Sequence, residues 1–370
     1  MTTKRKVLLF EDSKSERPVI LDALKKAMPK DVVVIPFEGG GNSKAGTYET
    51  RIKKDFTALG GADFIICDQD LSLIPDYPGL SAQVVTALAY AEGIPVALYG
   101  RGKDDFMTQR LKARRPFLER RFVLHLDHQN WDAEKFSATA RIIFDGCQEI
   151  LRFLESNLAG KKKAKSTGWT PAKWMSQLLD KPQIVNRLEL YGSGDQQYLS
   201  WLVASGEKDA PKQLTRVLAA ELGYWLWDSI LRFPGITVNR VAAGSLLNLS
   251  EETWDRPNVQ ALFEAAKYHG PFGVDKEFWW RDDLLATVRK AGADDGLAFV
   301  KAKGIKSAER SSCLVDSTQP AGCYCMLAEK PVSRANSIGS IPYFPSGADL
   351  ARISRPEFKK VAPWAGLPVS

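Results

Sequence analysis

Five short apolar runs divide the first part of the chain at regular intervals. They are Val7–Phe10, Val32–Ile35, Phe64–Cys67, Ile94–Tyr99 and Phe122–Leu126. An uninterrupted apolar run of this length is typical of a strand buried on both faces of a parallel sheet. Amphipathic segments separate the runs, so the pattern predicts a doubly wound, flavodoxin-like α/β domain with a five-stranded parallel sheet in the order 2-1-3-4-5.

Helical periodicity between the runs predicts the connecting helices. The apolar residues that share a helical face are Ile20, Leu21 and Leu24 in the first helix, Ile52, Phe56 and Leu59 in the second, Leu80, Val84, Leu88 and Ala91 in the third and, less regularly, Phe106, Met107 and Leu111 in the fourth. A fifth, longer helix is predicted from Phe136 to Leu158, where apolar residues recur at spacings of three and four. Its length of roughly 40 Å exceeds what one small domain needs. We expect its outer half to pack on the next domain or on a second copy as a homodimer, unless the helix merely ends in the linker.

The composition changes after a lysine-rich segment. Residues 159–168 read AGKKKAKSTG, and nine of the ten tryptophans follow them. The pattern therefore predicts a domain over 1–158, a linker over 159–168 and a tryptophan-rich C-terminal domain over 169–370. That domain is predicted to be mainly α-helical, with a small β hairpin that pairs Cys313–Val315 with Cys323–Leu327 around a turn-rich segment.

Charge, hydrophobicity and cysteine content indicate which partners and which cellular compartment to expect. The net charge is +7, but four of the basic residues form the run Lys161–Lys165, which is typical of a solvated linker. No basic recognition helix is evident, so nucleic acid is not the expected partner. No apolar run approaches the roughly 20 residues of a membrane-spanning helix, so no membrane partner is expected. The early acids Glu11 and Asp12 argue against a signal peptide, and five cysteines fit a reducing compartment, so we expect a cytoplasmic protein.

Three acidic residues follow the ends of two predicted strands. Glu11 and Asp12 close the first strand, and Asp68 closes the third. In the order 2-1-3-4-5 these strands are neighbours, so we expect the three carboxylates to meet at one edge of the sheet. A hard cation with oxygen ligands would neutralise them, which makes Mg²⁺ the natural choice. A carboxylate beside Mg²⁺ can accept a phosphoryl group, because the metal offsets the charge that repels the donor.

Two segments carry a family resemblance. The segments VLLFEDSKSE and ADFIICDQDLS resemble the receiver domain of bacterial response regulators, over about residues 1–158. The resemblance implies that Glu11 and Asp12 bind Mg²⁺ and that Asp68 is the phosphoacceptor for a histidine kinase. It also implies that the backbone carbonyl of Asp70 is a metal ligand.

The chain departs from the receiver pattern where the family reads out phosphorylation. Receivers end the fourth strand with a threonine or serine, and that position falls at Gly100. They end the fifth strand with a lysine, and Phe122–Asn130 contains none. The domain is therefore expected to be a degenerate receiver, or pseudo-receiver, that keeps its acidic cluster and lacks the switch residues.

Two further groups carry metal-ligating side chains. His125, Asp127 and His128 lie close together in sequence, and Cys313, Cys323 and Cys325 lie on the predicted hairpin. Zinc is one interpretation of such groups, and ordinary packing is the other, which we favour.

The predicted function is that of a non-enzymatic signalling or adaptor protein. Its pseudo-receiver domain would dock a protein partner, for which a histidine-kinase-type ATPase is the first choice. Degenerate receivers fused to unfamiliar domains also occur in bacterial conflict and phage-defence systems, which is one setting for this chain. The first alternative is a phosphate-accepting response regulator that uses Asp68 with Mg²⁺ in a phosphorelay. The second is a C-terminal domain that acts as an enzyme or a nucleic-acid effector.

Overall fold

The computed structural model describes residues 4–39, 46–58, 61–74, 76–77, 79–100, 122–125, 132–158, 170–205, 211–273, 277–339, 341 and 344–365. The chain divides into two compact units. The first unit consists of Met1–Lys103, Glu119–Trp169 and Tyr198–Tyr224. The second unit consists of Asp104–Leu118, Thr170–Gln197 and Trp225–Ser370.

Strands and helices alternate at first and then helices dominate. The strands are β1 (Arg5–Phe10), β2 (Val32–Pro36), β3 (Phe64–Asp68), β4 (Val96–Gly100), β5 (Phe122–His125), β6 (Thr237–Asn239), β7 (Phe278–Trp280), β8 (Gly322–Cys325), β9 (Lys330–Ser333), β10 (Ser337–Ile338) and β11 (Ala351–Ser354). The α-helices are α1 (Arg17–Ala27), α2 (Tyr48–Ala58), α3 (Ala82–Ala91), α4 (Ala133–Leu158), α5 (Pro171–Leu178), α6 (Val185–Leu188), α7 (Ser193–Ser205), α8 (Pro211–Trp225), α9 (Arg240–Leu246), α10 (Glu251–Trp254), α11 (Pro257–Gln260), α12 (Arg281–Lys290), α13 (Gly296–Ala302) and α14 (Arg355–Ala365). Short 3₁₀ segments occupy Pro182–Ile184 and Ala261–Ala266, and a π-helical segment, Leu226–Leu231, continues α8.

A parallel sheet forms the centre of the first unit. Its strands run in the order β2-β1-β3-β4, with Val7 opposite both Val34 and Phe64. The last four residues of β1 and the first four of β3 are fully buried, as expected for strands covered on both faces. The α/β class and this four-strand order are therefore confirmed. The short strand β5 pairs in parallel with β4, but the residues on both sides of it lie outside the described part of the chain. The predicted fourth helix, 106–111, lies outside it as well.

The helices of the first unit follow the predicted periodicity with one difference. In α1, Ile20 and Leu24 are buried, as the pattern predicts. In α3 the fully buried face is Ala82, Val85 and Ala89, whereas the predicted positions 84 and 88 are only partly buried. Because nearly every position of α3 is apolar, its periodicity identifies the helix but not the face that packs most deeply.

The long helix α4 is buried along the described part of its apolar stripe. It spans 26 residues. Its predicted apolar positions with described side chains are all buried within the single chain, namely Phe136, Ala140, Ile143, Cys147, Ile150 and Leu154. The guanidinium of Arg141 donates to the carbonyl of Ala27 at the end of α1 over 2.8 Å. Among its described positions, α4 therefore leaves no exposed apolar stripe for the homodimer that its length suggested.

The described residues 198–205 and 211–224 belong to the first unit, although the composition change places them in the C-terminal domain. Arg216 in α8 donates to the carbonyl of Ala62 over 2.6 Å, and the backbone N–H of Val96 donates to the hydroxyl of Tyr224 over 3.0 Å. Gly93 permits this approach, because a Cβ atom there would lie 2.7 Å from the backbone nitrogen of Val217. The compact units are therefore not continuous along the chain.

The second unit combines helices with two small sheets. The strands β6 and β7 form one antiparallel pair, and the other sheet has the order β10-β11-β8-β9. Trp225, Trp254 and Trp279 are among its largest fully buried side chains, so these tryptophans belong to the core.

The predicted hairpin is present with a different partner. The strand β8 contains Cys323 as expected, but its antiparallel neighbour is β9. Cys313–Val315 is not a strand: the preceding residue, Ser312, forms an isolated antiparallel bridge with Pro320, and a local turn follows in which the side chain of Asp316 accepts the N–H of Thr318 over 3.0 Å. No described helix in either unit is long and apolar enough to cross a membrane.

Candidate functional site

Three carboxylates meet at the carboxyl ends of the two central strands. Glu11 and Asp12 directly follow β1, and Asp68 is the last residue of β3. The two strands are parallel neighbours, and the last residue of β1, Phe10, lies opposite Cys67. One ligand oxygen of each carboxylate lies within 4.8 Å of the other two. Within the described residues this is the one group of three or more metal-ligating side chains that the structure assembles. We refer to Glu11, Asp12 and Asp68 as the acidic pocket.

Glu11 is fully buried and is held from two sides. The hydroxyl of Tyr99, near the end of β4, donates to Glu11 Oε2 over 2.7 Å. The backbone N–H of Ser13 donates to Glu11 Oε1 over 2.8 Å. Burial first, and then the negative charge of Glu11, raise the pKa of Tyr99 well above its usual range, so the phenol keeps its proton and acts as a donor.

Asp12 ties the loop after β3 to the pocket. Its Oδ2 accepts a hydrogen bond from the backbone N–H of Leu73 over 2.8 Å. Asp12 therefore holds the loop that follows Asp68. This hydrogen bond connects the segment after β1 with the segment after β3, in addition to the pairing of the two strands.

The close approach of the three carboxylates changes the pKa of Asp68. Burial first, and then the charges of Glu11 and Asp12, raise the pKa of Asp68 to about 7, and hydrogen bonds from backbone N–H groups only partly oppose this rise. A carboxylate with such a pKa is half protonated at neutral pH. A cation that replaced the proton would relieve the repulsion among the three groups, which is the chemistry this donor set favours.

Asp70 and Gly100 complete the set of predicted residues. The Asp70 side chain is exposed and accepts the N–H of Ser72 over 3.1 Å, so it does not belong to the pocket. A ligand role for its backbone carbonyl stays a prediction. At Gly100, a Cβ atom would lie 2.5 Å from Cδ of Gln69, so the end of the Gln69 side chain occupies the space that a residue with a side chain would need.

Tyr99 and Gln69 are the residues that the sequence pattern misses. Tyr99 carries a usable signal, because a tyrosine at the end of a buried strand needs a partner for its hydroxyl. For Gln69 we find no comparable signal, since its contact with Gly100 depends on the pairing of β3 with β4.

The other candidate ligands are not assembled into a site in the described part of the chain. Asp127, His128 and the side chain of His125 lie outside the described residues. The sulfur atoms of the buried Cys313 and Cys325 accept hydrogen bonds from the backbone N–H groups of Ser333 and Ser354, over 3.3 Å in each case. These contacts fit the packing interpretation of the cysteines. Comparison of the chain with protein-family models, with curated proteins and with solved structures finds no match.

Proposed function

We propose that the first unit is a receiver-like module of a signalling protein, which binds a divalent cation in the acidic pocket and docks a protein partner without phosphate transfer. The observation that carries this proposal is the convergence of Glu11, Asp12 and Asp68 at the carboxyl ends of β1 and β3. In doubly wound sheets, ligands bind beyond the carboxyl ends of the strands, where the strand order reverses. The parallel pairing of β5 with β4 supports the five-stranded receiver order.

The donor set favours Mg²⁺ over softer metals. All three side chains offer carboxylate oxygens, and hard divalent cations prefer such ligands. The resemblance assigns the backbone carbonyl of Asp70 as a fourth protein ligand, and Mg²⁺ usually keeps several waters in addition. The bound cation would supply positive charge to the pocket, and Asp68 would then bind the metal rather than a proton.

The end of β4 supports docking without a phosphorylation switch. A switch hydroxyl would extend from position 100, but Gly100 has no side chain and Gln69 fills that space. The pocket therefore keeps its acidic part without the hydroxyl that would read the state of Asp68. The resemblance points to a histidine-kinase-type ATPase as the partner and to bacterial conflict or phage defence as one setting.

A cation titration and a labelling reaction, both on the full chain, test this proposal together. Calorimetry should show Mg²⁺ binding to the wild type, and Asp12→Asn and Asp68→Asn should each lose about tenfold or more in affinity, because loss of a group that merely orients a metal ligand already costs about that much. Asp22→Asn is the matched control, because Asp22 is an exposed residue of α1 that is not part of the pocket. Acetyl phosphate should leave the wild type unlabelled. Absence of Mg²⁺ binding would contradict the cation site.

The second candidate is a phosphate-accepting response regulator. Asp68 favours it, because its carboxylate is only partly buried and lies beside two groups that can hold Mg²⁺. In this reaction an Asp68 oxygen attacks the phosphorus of acetyl phosphate, the bond from phosphorus to the acetyl oxygen breaks, and acetate leaves. Labelling that requires Mg²⁺ and disappears in Asp68→Asn would establish this candidate in place of the first.

A further inference from the structure

Tyr99 reaches the acidic pocket from the neighbouring strand and is held firmly there. Its hydroxyl donates to Glu11 Oε2 over 2.7 Å, and both side chains are buried. Its ring packs edge-on against Phe136 at the start of α4, with the ring centroids 5.2 Å apart. The position of the hydroxyl is therefore set by packing, and the hydroxyl in turn sets the position of one carboxylate oxygen.

The second oxygen of Glu11 is fixed independently. The backbone N–H of Ser13 donates to Oε1 over 2.8 Å, so each oxygen of the carboxylate has one donor. An ionised carboxylate has about four acceptor sites, which leaves further capacity on each oxygen for a cation. The two donors hold the carboxylate in one orientation, and turning it to any other orientation would break at least one of these hydrogen bonds and leave a donor without its partner.

This constraint distinguishes two cations of the same charge. Mg²⁺ requires near-ideal octahedral geometry with short bonds, whereas Ca²⁺ takes six to eight oxygens in flexible arrangements and readily uses bidentate carboxylates. We propose that Tyr99 is a positioning residue that makes the acidic pocket select Mg²⁺ over Ca²⁺. This inference rests on the cation site proposed above.

The test compares the affinities of the full chain for Mg²⁺ and for Ca²⁺, measured separately by calorimetry. Tyr99→Phe keeps the ring and its packing on Phe136 but removes the donor. We expect the Mg²⁺ affinity to fall about tenfold or more, as for other groups that orient metal ligands, and the Ca²⁺ affinity to change by less than about threefold. Tyr77→Phe is the matched control, because Tyr77 is another buried tyrosine of this unit that donates to a carboxylate, that of Asp55. It should leave both affinities unchanged.

The outcomes separate this inference from the proposed function. If the wild type binds Mg²⁺ and Tyr99→Phe keeps the same Mg²⁺-to-Ca²⁺ ratio, the inference is overturned and the cation site stands. An equal loss of both affinities also overturns it, because Tyr99 then only supports the fold. A wild type that binds no Mg²⁺ overturns both. If Tyr99→Phe does not fold, Glu11→Asp replaces it, since the shorter side chain retracts from the hydroxyl with its charge intact. An unchanged ratio in that variant overturns the inference.

Discussion

Replacing Asp68 by asparagine should stabilise the metal-free protein at alkaline pH. The pKa of Asp68 is raised to about 7 in the folded chain, whereas an aspartate in an unfolded chain has a pKa of about 3.9. The folded state therefore binds the proton more tightly than the unfolded state. The stability that this proton contributes is complete below about pH 4 and is lost as the pH rises through about 7.

The size of the effect follows from the pKa difference. A difference of about three pKa units at about 1.36 kcal/mol each sets a ceiling of roughly 4 kcal/mol. Because Asp68 is only partly buried, solvent screening reduces this, and we expect Asp68→Asn to gain about 1–2 kcal/mol at pH 8. The gain should nearly vanish near pH 4, where the wild-type carboxyl is protonated in the folded state and about half protonated in the unfolded chain.

The assay is native-state hydrogen exchange of the β1 and β3 amides in the presence of EDTA, corrected for the pH dependence of intrinsic exchange. Asp22→Asn, at an exposed aspartate of α1, serves as the control and should give no gain at either pH. Added Mg²⁺ should stabilise the wild type more than it stabilises Asp68→Asn. A gain of equal size at pH 4 and pH 8 would refute the reasoning, because relief of charge repulsion requires an ionised Asp68. No gain at pH 8 would refute it as well.

Substitutions at two glycines give further predictions. The same exchange measurement, or urea unfolding, gives the change in the free energy of unfolding. Gly93→Ala should lower the free energy of unfolding by at least about 1 kcal/mol more than Gly61→Ala does. Both positions have positive φ, but only the Cβ at position 93 would meet backbone atoms, those of Val217. Equal losses would show that residues 198–224 do not pack there. Gly100→Ser should lower the free energy of unfolding by less than about 1 kcal/mol, because the nearest atoms that the new Cβ would meet all belong to the exposed side chain of Gln69. A larger loss would mean that Gln69 is rigidly held.

The sheet and its acidic pocket were predictable because their signals are local. A strand buried on both faces reads as an uninterrupted apolar run, and β1 and β3 show such runs directly before the acids. Once the α/β class is recognised, the order of the two strands brings Glu11 and Asp68 to the same edge. The strand order does not depend on side-chain conformation, so the sequence pattern is enough to predict that the three carboxylates lie together.

The contacts between elements distant in sequence could not be predicted in the same way. The periodicity of α8 identifies an apolar face but not the surface that this face covers, so its packing beside Gly93 was missed. The segment Cys313–Val315 has the composition of a strand, yet the strand that pairs antiparallel with β8 is β9, and composition does not specify that choice of partner. The contact between Gln69 and Gly100 depends on strand pairing, which a residue-by-residue reading does not contain.

The central claim is that Glu11, Asp12 and Asp68 form one cation site. A crystal structure of the full chain grown with Mn²⁺, which gives an anomalous signal and accepts the same oxygen ligands as Mg²⁺, tests it most directly. We expect an anomalous peak within coordination distance of Glu11, Asp12 and Asp68, with Tyr99 still bound to Glu11, and loss of the peak in Asp68→Asn. Absence of a peak among the three carboxylates at saturating Mn²⁺ would contradict it.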